Sequence, residues 1–119
     1  MDLGLKGKIA LVTGASRGIG NRIAQTLAAE GADLCICART EEAIKKAAAE
    51  IETRGNEVEA VVADATQPET APLLVEKTRE RFGGLDILIN NVGGSVWTPF
   101  VQISDEEWFH VFNLSFFSA

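Results

Sequence analysis

The 119-residue sequence contains no tyrosine, a single histidine and two cysteines. Because His110 is the only histidine, a metal site built from several histidines is excluded, and we expect no bound metal. Long apolar runs are also missing, and the start "MDLGLKGK" lacks the basic-then-apolar order of a secretory signal. We therefore expect a cytoplasmic protein that makes no contact with membranes.

Basic residues are scarce as well. Eleven Lys and Arg stand against 17 Asp and Glu, which gives a formal net charge of -6. Nucleic-acid backbones are held by clustered Lys and Arg, whereas these basic residues are scattered along the chain. We expect no nucleic-acid partner, although one or two well-placed arginines could still hold a small anion.

The two cysteines, Cys35 and Cys37, lie within the segment "ADLCICAR". A spacing of two places both thiols on one face of a strand, and it matches neither a zinc knuckle nor a CxxC redox pair. We interpret both as buried, reduced side chains rather than as a redox pair.

The hydrophobic pattern alternates between strand and helix periodicity along the chain. Nearly continuous apolar runs predict strands over residues 8–14, 32–38, 57–64 and 85–94. Helical spacing predicts two helices in the first half of the chain, one over residues 20–31 and one from a cap at Thr40 to near Gly55. It predicts two more in the second half, one over 67–84 with Pro68 in its first turn and one over 104–119 that begins with a Ser104–Glu107 capping box. This alternation indicates right-handed βαβ units in one domain, residues 1–119, of the doubly wound α/β class with a parallel sheet.

The segment "TGASRGIG" at residues 13–20 follows the first predicted strand and opens the first predicted helix. In this arrangement free backbone N–H groups and the helix dipole converge on an anion. We expect Gly14 to permit a tight turn, Gly18 to let the backbone approach a pyrophosphate, and Gly20 to bring helix and strand together. A purely structural turn is the alternative, and the flanking strand and helix favour the phosphate-binding interpretation.

Four motifs in this order resemble the short-chain dehydrogenase/reductase family, and most of all its 3-oxoacyl-[acyl-carrier-protein] reductases and related ketoreductases. They are "TGASRGIG", Asp64 in "VVADAT", "NNVGG" with Val92 where alanine is usual, and Asn113 in "NLSFFSA". The resemblance implies a Rossmann-like fold and a nicotinamide cofactor. The residues expected to hold that cofactor are Thr13, Gly14, Ser16, Arg17, Gly18, Ile19, Gly20, Arg39, Asp64, Ala65, Asn90, Asn91, Val92 and Gly93.

The choice between NADP(H) and NAD(H) depends on the end of the second strand, where an acid favours the ribose hydroxyl of NAD and an arginine favours the 2′-phosphate of NADP. Here that strand ends at "CAR", and Arg17 adds a second guanidinium from the glycine-rich loop. We predict NADP(H), with NAD(H) as the alternative in which Glu41 or Glu42 reaches the ribose instead.

The resemblance implies hydride transfer between nicotinamide and a small carbonyl or alcohol substrate, and it assigns a catalytic role to Asn113. The family's catalytic serine and Tyr-x-x-x-Lys have no counterpart in this sequence. We interpret the chain as the cofactor-binding half of an NADP(H)-dependent oxidoreductase, truncated after the fourth strand and the following helix, and inactive by itself. The alternatives are an inactive dinucleotide-binding fragment and a module that pairs with another chain.

Two further groups of mostly aromatic residues suggest where a substrate or a second subunit could lie. Trp97, Thr98 and Phe100 could line a substrate side or merely anchor a loop. Trp108, Phe112 and Phe116 lie on the last predicted helix, in a region that pairs subunits in the family, so the resemblance implies a homo-oligomer.

Overall fold

The computed structural model describes residues 2–53, 55–93 and 99–117. Its strands form one four-stranded sheet of order β3-β2-β1-β4, and every pairing in it is parallel. The strands are β1 (Ile9–Thr13), β2 (Asp33–Ala38), β3 (Val58–Val62) and β4 (Ile87–Ile89), and the helices are α1 (Gly18–Ala29), α2 (Glu41–Glu52), α3 (Thr70–Phe82) and α4 (Asp105–Phe112). The predicted doubly wound, Rossmann-like fold is confirmed.

Apolar side chains cover both faces of this sheet, which is why its strands are nearly continuous apolar runs. Helices α1 and α2 pack on one face, and the buried side chains there include Val12, Ile36 and Ile44. Helix α3 packs on the other face through Leu74, against Leu11 and the two cysteines. Because successive strand residues point to opposite faces, Cys35 and Cys37 share one face, as their spacing predicted.

The register of the sheet brings the carboxyl ends of the strands to one edge. Thr13 at the end of β1 pairs with Cys37, and Val12 pairs with Ile89 at the end of β4. Ala38, the last residue of β2, pairs with Val62, the last residue of β3. The loops that follow all four strands therefore begin at the same edge, which is where open α/β sheets bind ligands.

Several predicted boundaries are wrong by a few residues. Helix α1 begins at Gly18 rather than at residue 20, because the backbone N–H of Asn21 already donates to the carbonyl of Arg17. Helix α3 begins at Thr70, so Pro68 lies in the preceding turn and not in the helix. Strand β4 is only three residues long, because β1 is its one pairing partner among the described strands.

The predicted helix over 104–119 is also divided. Helix α4 ends at Phe112, and a π-helical turn covers Asn113–Phe117. Its start is confirmed, since the Ser104 side chain accepts a hydrogen bond from the backbone N–H of Glu107 at 3.1 Å. The predicted cap at Thr40 is confirmed in position only, because its side chain makes no capping hydrogen bond.

Two glycines end helices as expected. Gly83 follows α3 in the left-handed region with φ +85°, and its N–H donates to the carbonyl of Arg79 at 2.8 Å. Gly31 follows α1 with φ +93°, and its N–H donates to Ala28. Of the helices described in this chain, none has both the length and the apolar character needed to cross a membrane.

Candidate functional site

A cleft of about 640 Å³ opens at the carboxyl edge of the sheet. Five stretches of chain form its walls: the glycine-rich loop after β1, the end of β2 with the start of α2, the loop after β3, the loop after β4, and the π-helical turn through Leu114. Its lining includes ten of the residues predicted to hold the cofactor, namely Gly14, Ser16, Arg17, Gly18, Arg39, Asp64, Ala65, Asn91, Val92 and Gly93. The sequence motifs, which lie far apart along the chain, thus meet in one place.

The glycine-rich loop is held tightly against the end of β4. The backbone N–H of Asn91 donates to the Thr13 hydroxyl at 3.0 Å, and that hydroxyl donates to the carbonyl of Ile89 at 3.4 Å. The Asn91 side-chain amide donates to the carbonyl of Gly14 at 3.2 Å. Thr13 is buried and does not line the cleft, so its role in the structure is to join β1 to the loop after β4.

The N–H groups of residues 16–20 have no hydrogen-bond partner among the residues that the structure describes. They belong to the loop and to the first turn of α1, where a helix always leaves its N–H groups without intrahelical acceptors. Together with the positive end of the helix dipole, they form an arrangement that suits an anion.

Two arginines stand beside this loop in the lining of the cleft. Arg17 and Arg39 are both exposed, and neither forms an ion pair with another residue in the described part of the chain. The ion pairs found there are Lys45–Glu41 and Arg81–Glu59, both away from the cleft lining. The cleft therefore presents two guanidinium groups whose charge no described carboxylate neutralises by direct contact.

Asp64 is the acidic residue of the cleft lining. Its side chain accepts hydrogen bonds from the hydroxyl of Thr66 at 2.7 Å and from the backbone N–H of Thr66 at 2.9 Å. These two bonds hold the pKa of Asp64 below its ordinary value, and the positive charge of Arg39 lowers it further. The carboxylate is therefore ionised at neutral pH and fixed in orientation.

Five of the predicted site residues do not line the cleft. Gly20 is buried beneath the loop, Thr13 joins the strands, Ile19 is 74% exposed, and Asn90 and Asn113 are exposed. The residue after Asn113, Leu114, does reach the cleft, so the π-helical turn borders it. Trp97 and Thr98 lie outside the described residues, and Phe100 is exposed in a short 3-10 turn.

Several small or apolar residues that line the cleft were not predicted from the sequence. They are Cys37, Ala38, Thr40, Ala43, Ala63 and Leu114. The signal that could have found half of them is position, because Cys37, Ala38 and Ala63 stand at or just past the carboxyl ends of β2 and β3. Leu114 carries no such signal.

The buried cysteines are unreactive in character. Burial raises the pKa of Cys35 to about 11, although a hydrogen bond with Thr78 partly opposes the rise. Burial raises the pKa of Cys37 as well. Because the thiolate is the nucleophilic form, both side chains stay protonated and inert at neutral pH, in agreement with the interpretation as reduced core residues.

Comparison with known proteins decides the family. The sequence profile described as short chain dehydrogenase matches residues 8–119. The chain belongs to the short chain dehydrogenase family. This match confirms the resemblance on which the sequence analysis relied, and it makes the chain part of an oxidoreductase family.

Two relatives of the chain carry names that describe ketoreductases. The granaticin polyketide synthase putative ketoacyl reductase 1 of Streptomyces violaceoruber is 41% identical over 103 residues, which are 87% of this chain and 38% of that protein. The 3-oxoacyl-[acyl-carrier-protein] reductase of Escherichia coli is 40% identical over 106 residues, which are 89% of this chain and 42% of that protein.

A solved structure agrees with the fold. The L-sorbose reductase of Gluconobacter frateurii, complexed with NADPH and L-sorbose, superimposes with a TM-score of 0.94 at 37% identity. The match covers 99% of this chain and 45% of that protein. The chain therefore spans less than half the length of each of these three relatives.

Proposed function

We propose that the chain holds NADP(H) for an oxidoreductase that transfers hydride between nicotinamide and a small carbonyl or alcohol substrate. The observation that carries the proposal is the placement of Arg17 and Arg39, free of ion pairs with other described residues, in one cleft with the unbonded N–H groups of residues 16–20. Two guanidinium groups suit a 2′-phosphate, and backbone N–H groups at a helix start suit a pyrophosphate.

The residues present fit a dinucleotide in their chemistry. The tight approach of α1 to the loop at Gly20 leaves no room for a side chain, which suits a backbone that must come close to a ligand. In the proposed arrangement the loop holds the pyrophosphate, Asp64 and Ala65 border the adenine, and Asn91, Val92 and Gly93 face the nicotinamide half. When bound, the cofactor supplies or accepts the hydride, while the chain orients it.

NADP(H) is favoured over NAD(H) by the surroundings of the two candidate acids. The Glu41 carboxylate pairs with Lys45, whose hydrogen bond and charge lower the pKa of Glu41. Glu41 and Glu42 belong to the first turn of α2 and do not line the cleft, whereas their neighbours Thr40 and Ala43 do. Neither acid at the start of α2 is therefore part of the described lining beside Arg39, and the acid that does line the cleft, Asp64, follows β3 rather than β2.

We propose no turnover by these 119 residues alone, because the sequence has no tyrosine to serve as the family's proton donor. The family relationship implies that the substrate-binding and proton-transfer groups of the whole enzyme include residues beyond this sequence. Asn113 remains the proposed catalytic residue of the chain. It is exposed at the start of the π-helical turn, and the next residue of that turn, Leu114, lines the cleft. A homo-oligomeric enzyme is part of the same proposal.

Replacing the two arginines tests the cofactor assignment. We expect Arg39→Ala to weaken NADPH binding about 10- to 100-fold and Arg17→Ala to weaken it about tenfold, the loss typical of a charge-assisted hydrogen bond to phosphate. NADH binding should change less than about twofold in both variants, because NADH has no 2′-phosphate. Fluorescence titration of the purified chain with each nucleotide measures the dissociation constants.

The matched control is Arg22→Ala, which removes an exposed arginine from α1 that does not line the cleft. This variant should bind NADPH as the unsubstituted chain does. Equal losses of NADPH and NADH affinity in the Arg39 variant would contradict the assignment of Arg39 to the 2′-phosphate.

A further inference from the structure

Asn21, in the first turn of α1, holds the back of the glycine-rich loop and does not line the cleft. Its side-chain amide donates to the carbonyl of Ala15 at 3.2 Å. Gln25, one helical turn further on, donates from Nε2 to the Asn21 Oδ1 at 2.6 Å. Because Gln25 occupies the oxygen of the Asn21 amide, the NH₂ group of that amide is left to face Ala15.

Ala15 is fixed on both sides of its peptide unit. It is fully buried, and its N–H donates to the carbonyl of Cys37 at the end of β2 at 3.1 Å. The preceding carbonyl, that of Gly14, accepts the Asn91 amide at 3.2 Å. Two consecutive carbonyls of the loop are therefore bonded to side-chain amides, one from α1 and one from the loop after β4.

The hydrogen bonds to these two carbonyls determine which backbone groups of the loop are left to contact an anion. A carbonyl oxygen turned toward a phosphate repels it, whereas an N–H group attracts it. With the oxygens of Gly14 and Ala15 held by Asn91 and Asn21, the loop turns into α1 with the N–H groups of residues 16–20 unbonded to other described residues.

We propose that Asn21 is a positioning residue for dinucleotide binding: its amide, oriented by Gln25, holds the Ala15 carbonyl so that the loop is ordered before the pyrophosphate arrives. The inference rests on the proposed function, since it names the residue that prepares the loop for that ligand. Preorganisation of this kind lowers the entropic cost of binding without adding a contact to the ligand.

Three variants test the proposal in the full 119-residue chain. Asn21→Ala removes the donor, and Asn21→Asp places a carboxylate against the Ala15 carbonyl. Thr26→Ala is the matched control, because it removes a side-chain hydrogen bond to Arg22 on the same helix at 2.8 Å without touching the loop. Each variant is titrated with NADPH, its thermal unfolding is followed, and amide hydrogen exchange is measured over residues 10–18 and over β3.

We expect Asn21→Ala to weaken NADPH binding about fivefold, the worth of one net hydrogen bond. Exchange at the Ala15 amide should become faster, whereas exchange in β3 should stay unchanged. Because alanine is the better helix former, the thermal midpoint should change little, which separates a positioning role from a purely structural one. Asn21→Asp should lose more affinity than Asn21→Ala at low salt, and added salt should narrow the difference.

Unchanged NADPH affinity and unchanged exchange at Ala15 in the Asn21→Ala chain would overturn the inference and leave the proposed function intact. A loss of affinity that only follows a lowered thermal midpoint would also overturn it. Failure of the unsubstituted chain to bind NADPH would overturn the proposed function instead, and the exchange at Ala15 would still decide whether Asn21 orders the loop.

Discussion

Gly18 and Gly20 belong to the same loop motif, but they are glycines for different physical reasons. Gly18 has a φ of +62°, which side chains rarely adopt, and no atom lies within 4 Å of the place where its Cβ would be. Gly20 has an ordinary φ, but a Cβ there would stand 2.4 Å from both the Asn91 Nδ2 and the Gly14 carbonyl oxygen. Gly18 is thus required by backbone conformation and Gly20 by the close approach of α1 to the loop.

Gly20→Ala tests the steric requirement alone. The methyl group must displace the Asn91 amide from the Gly14 carbonyl, so we expect a loss of about 1–3 kcal/mol in the free energy of unfolding, as for other overpacked sites. NADPH affinity should fall at least about tenfold, because the loop loses its anchor to β4. Urea unfolding and fluorescence titration measure the two effects.

The control for this substitution is Gly84→Ala. Gly84 also has no positive φ, and the nearest atom to its Cβ position is the Ile9 Cδ1 at 4.0 Å, which is ordinary contact. Gly84→Ala should therefore leave both stability and NADPH affinity nearly unchanged. A Gly20→Ala chain as stable as its Gly84→Ala counterpart would contradict the steric argument.

At the scale of elements, the sequence pattern predicted the strands that are covered on both faces and the helices that are capped by specific residues. The buried side of α2, with Ile44, Ala47, Ala48 and Ile51, has the spacing expected of an amphipathic helix. The strand predicted over 85–94 extended past the polar Asn90 and Asn91, whereas the pairing of β4 with β1 ends at Ile89. The division after Phe112 carries no sequence signal, since a π-helical turn needs no particular residue.

The elements β4 and α4 both leave apolar side chains exposed. In β4, Leu88 is 53% exposed, and on α4, Phe109 is 64% exposed beside the tilted ring pair Trp108–Phe112, whose ring centres are 5.3 Å apart. Among the described elements, α4 packs closely only against the π-helical turn that follows it. Contiguous exposed apolar surface of this kind marks an interaction site or a tendency to associate.

We therefore expect the chain to associate with itself at micromolar concentration, as the predicted homo-oligomer requires. Phe109→Ser should shift the weight-average mass toward that of a monomer, because it removes the most exposed ring of α4. Val62→Thr, which changes an exposed residue at the end of β3, should leave the mass unchanged. Light scattering after size exclusion measures the mass, and a monomer before any substitution would contradict the prediction.

At the scale of the whole molecule, the topology explains why distant motifs form one cleft. The order β3-β2-β1-β4 places the glycine-rich loop between the ends of β2 and β4, so Arg39 and Asn91 approach it from opposite sides. The rule that ligands bind at the carboxyl ends of parallel strands was enough to predict this edge from sequence. Asn21 and Gln25 could not be found in that way, because their contribution is a pair of hydrogen bonds behind the loop.

The most direct test of the account is the ratio of the dissociation constants for NADPH and NADH, measured by fluorescence titration of the unsubstituted chain at physiological ionic strength. With Arg17 and Arg39 in the lining of one cleft, we predict saturable binding of NADPH at least about tenfold tighter than that of NADH. Equal affinities, or tighter binding of NADH, would contradict the central claim that this cleft is built for a 2′-phosphorylated dinucleotide.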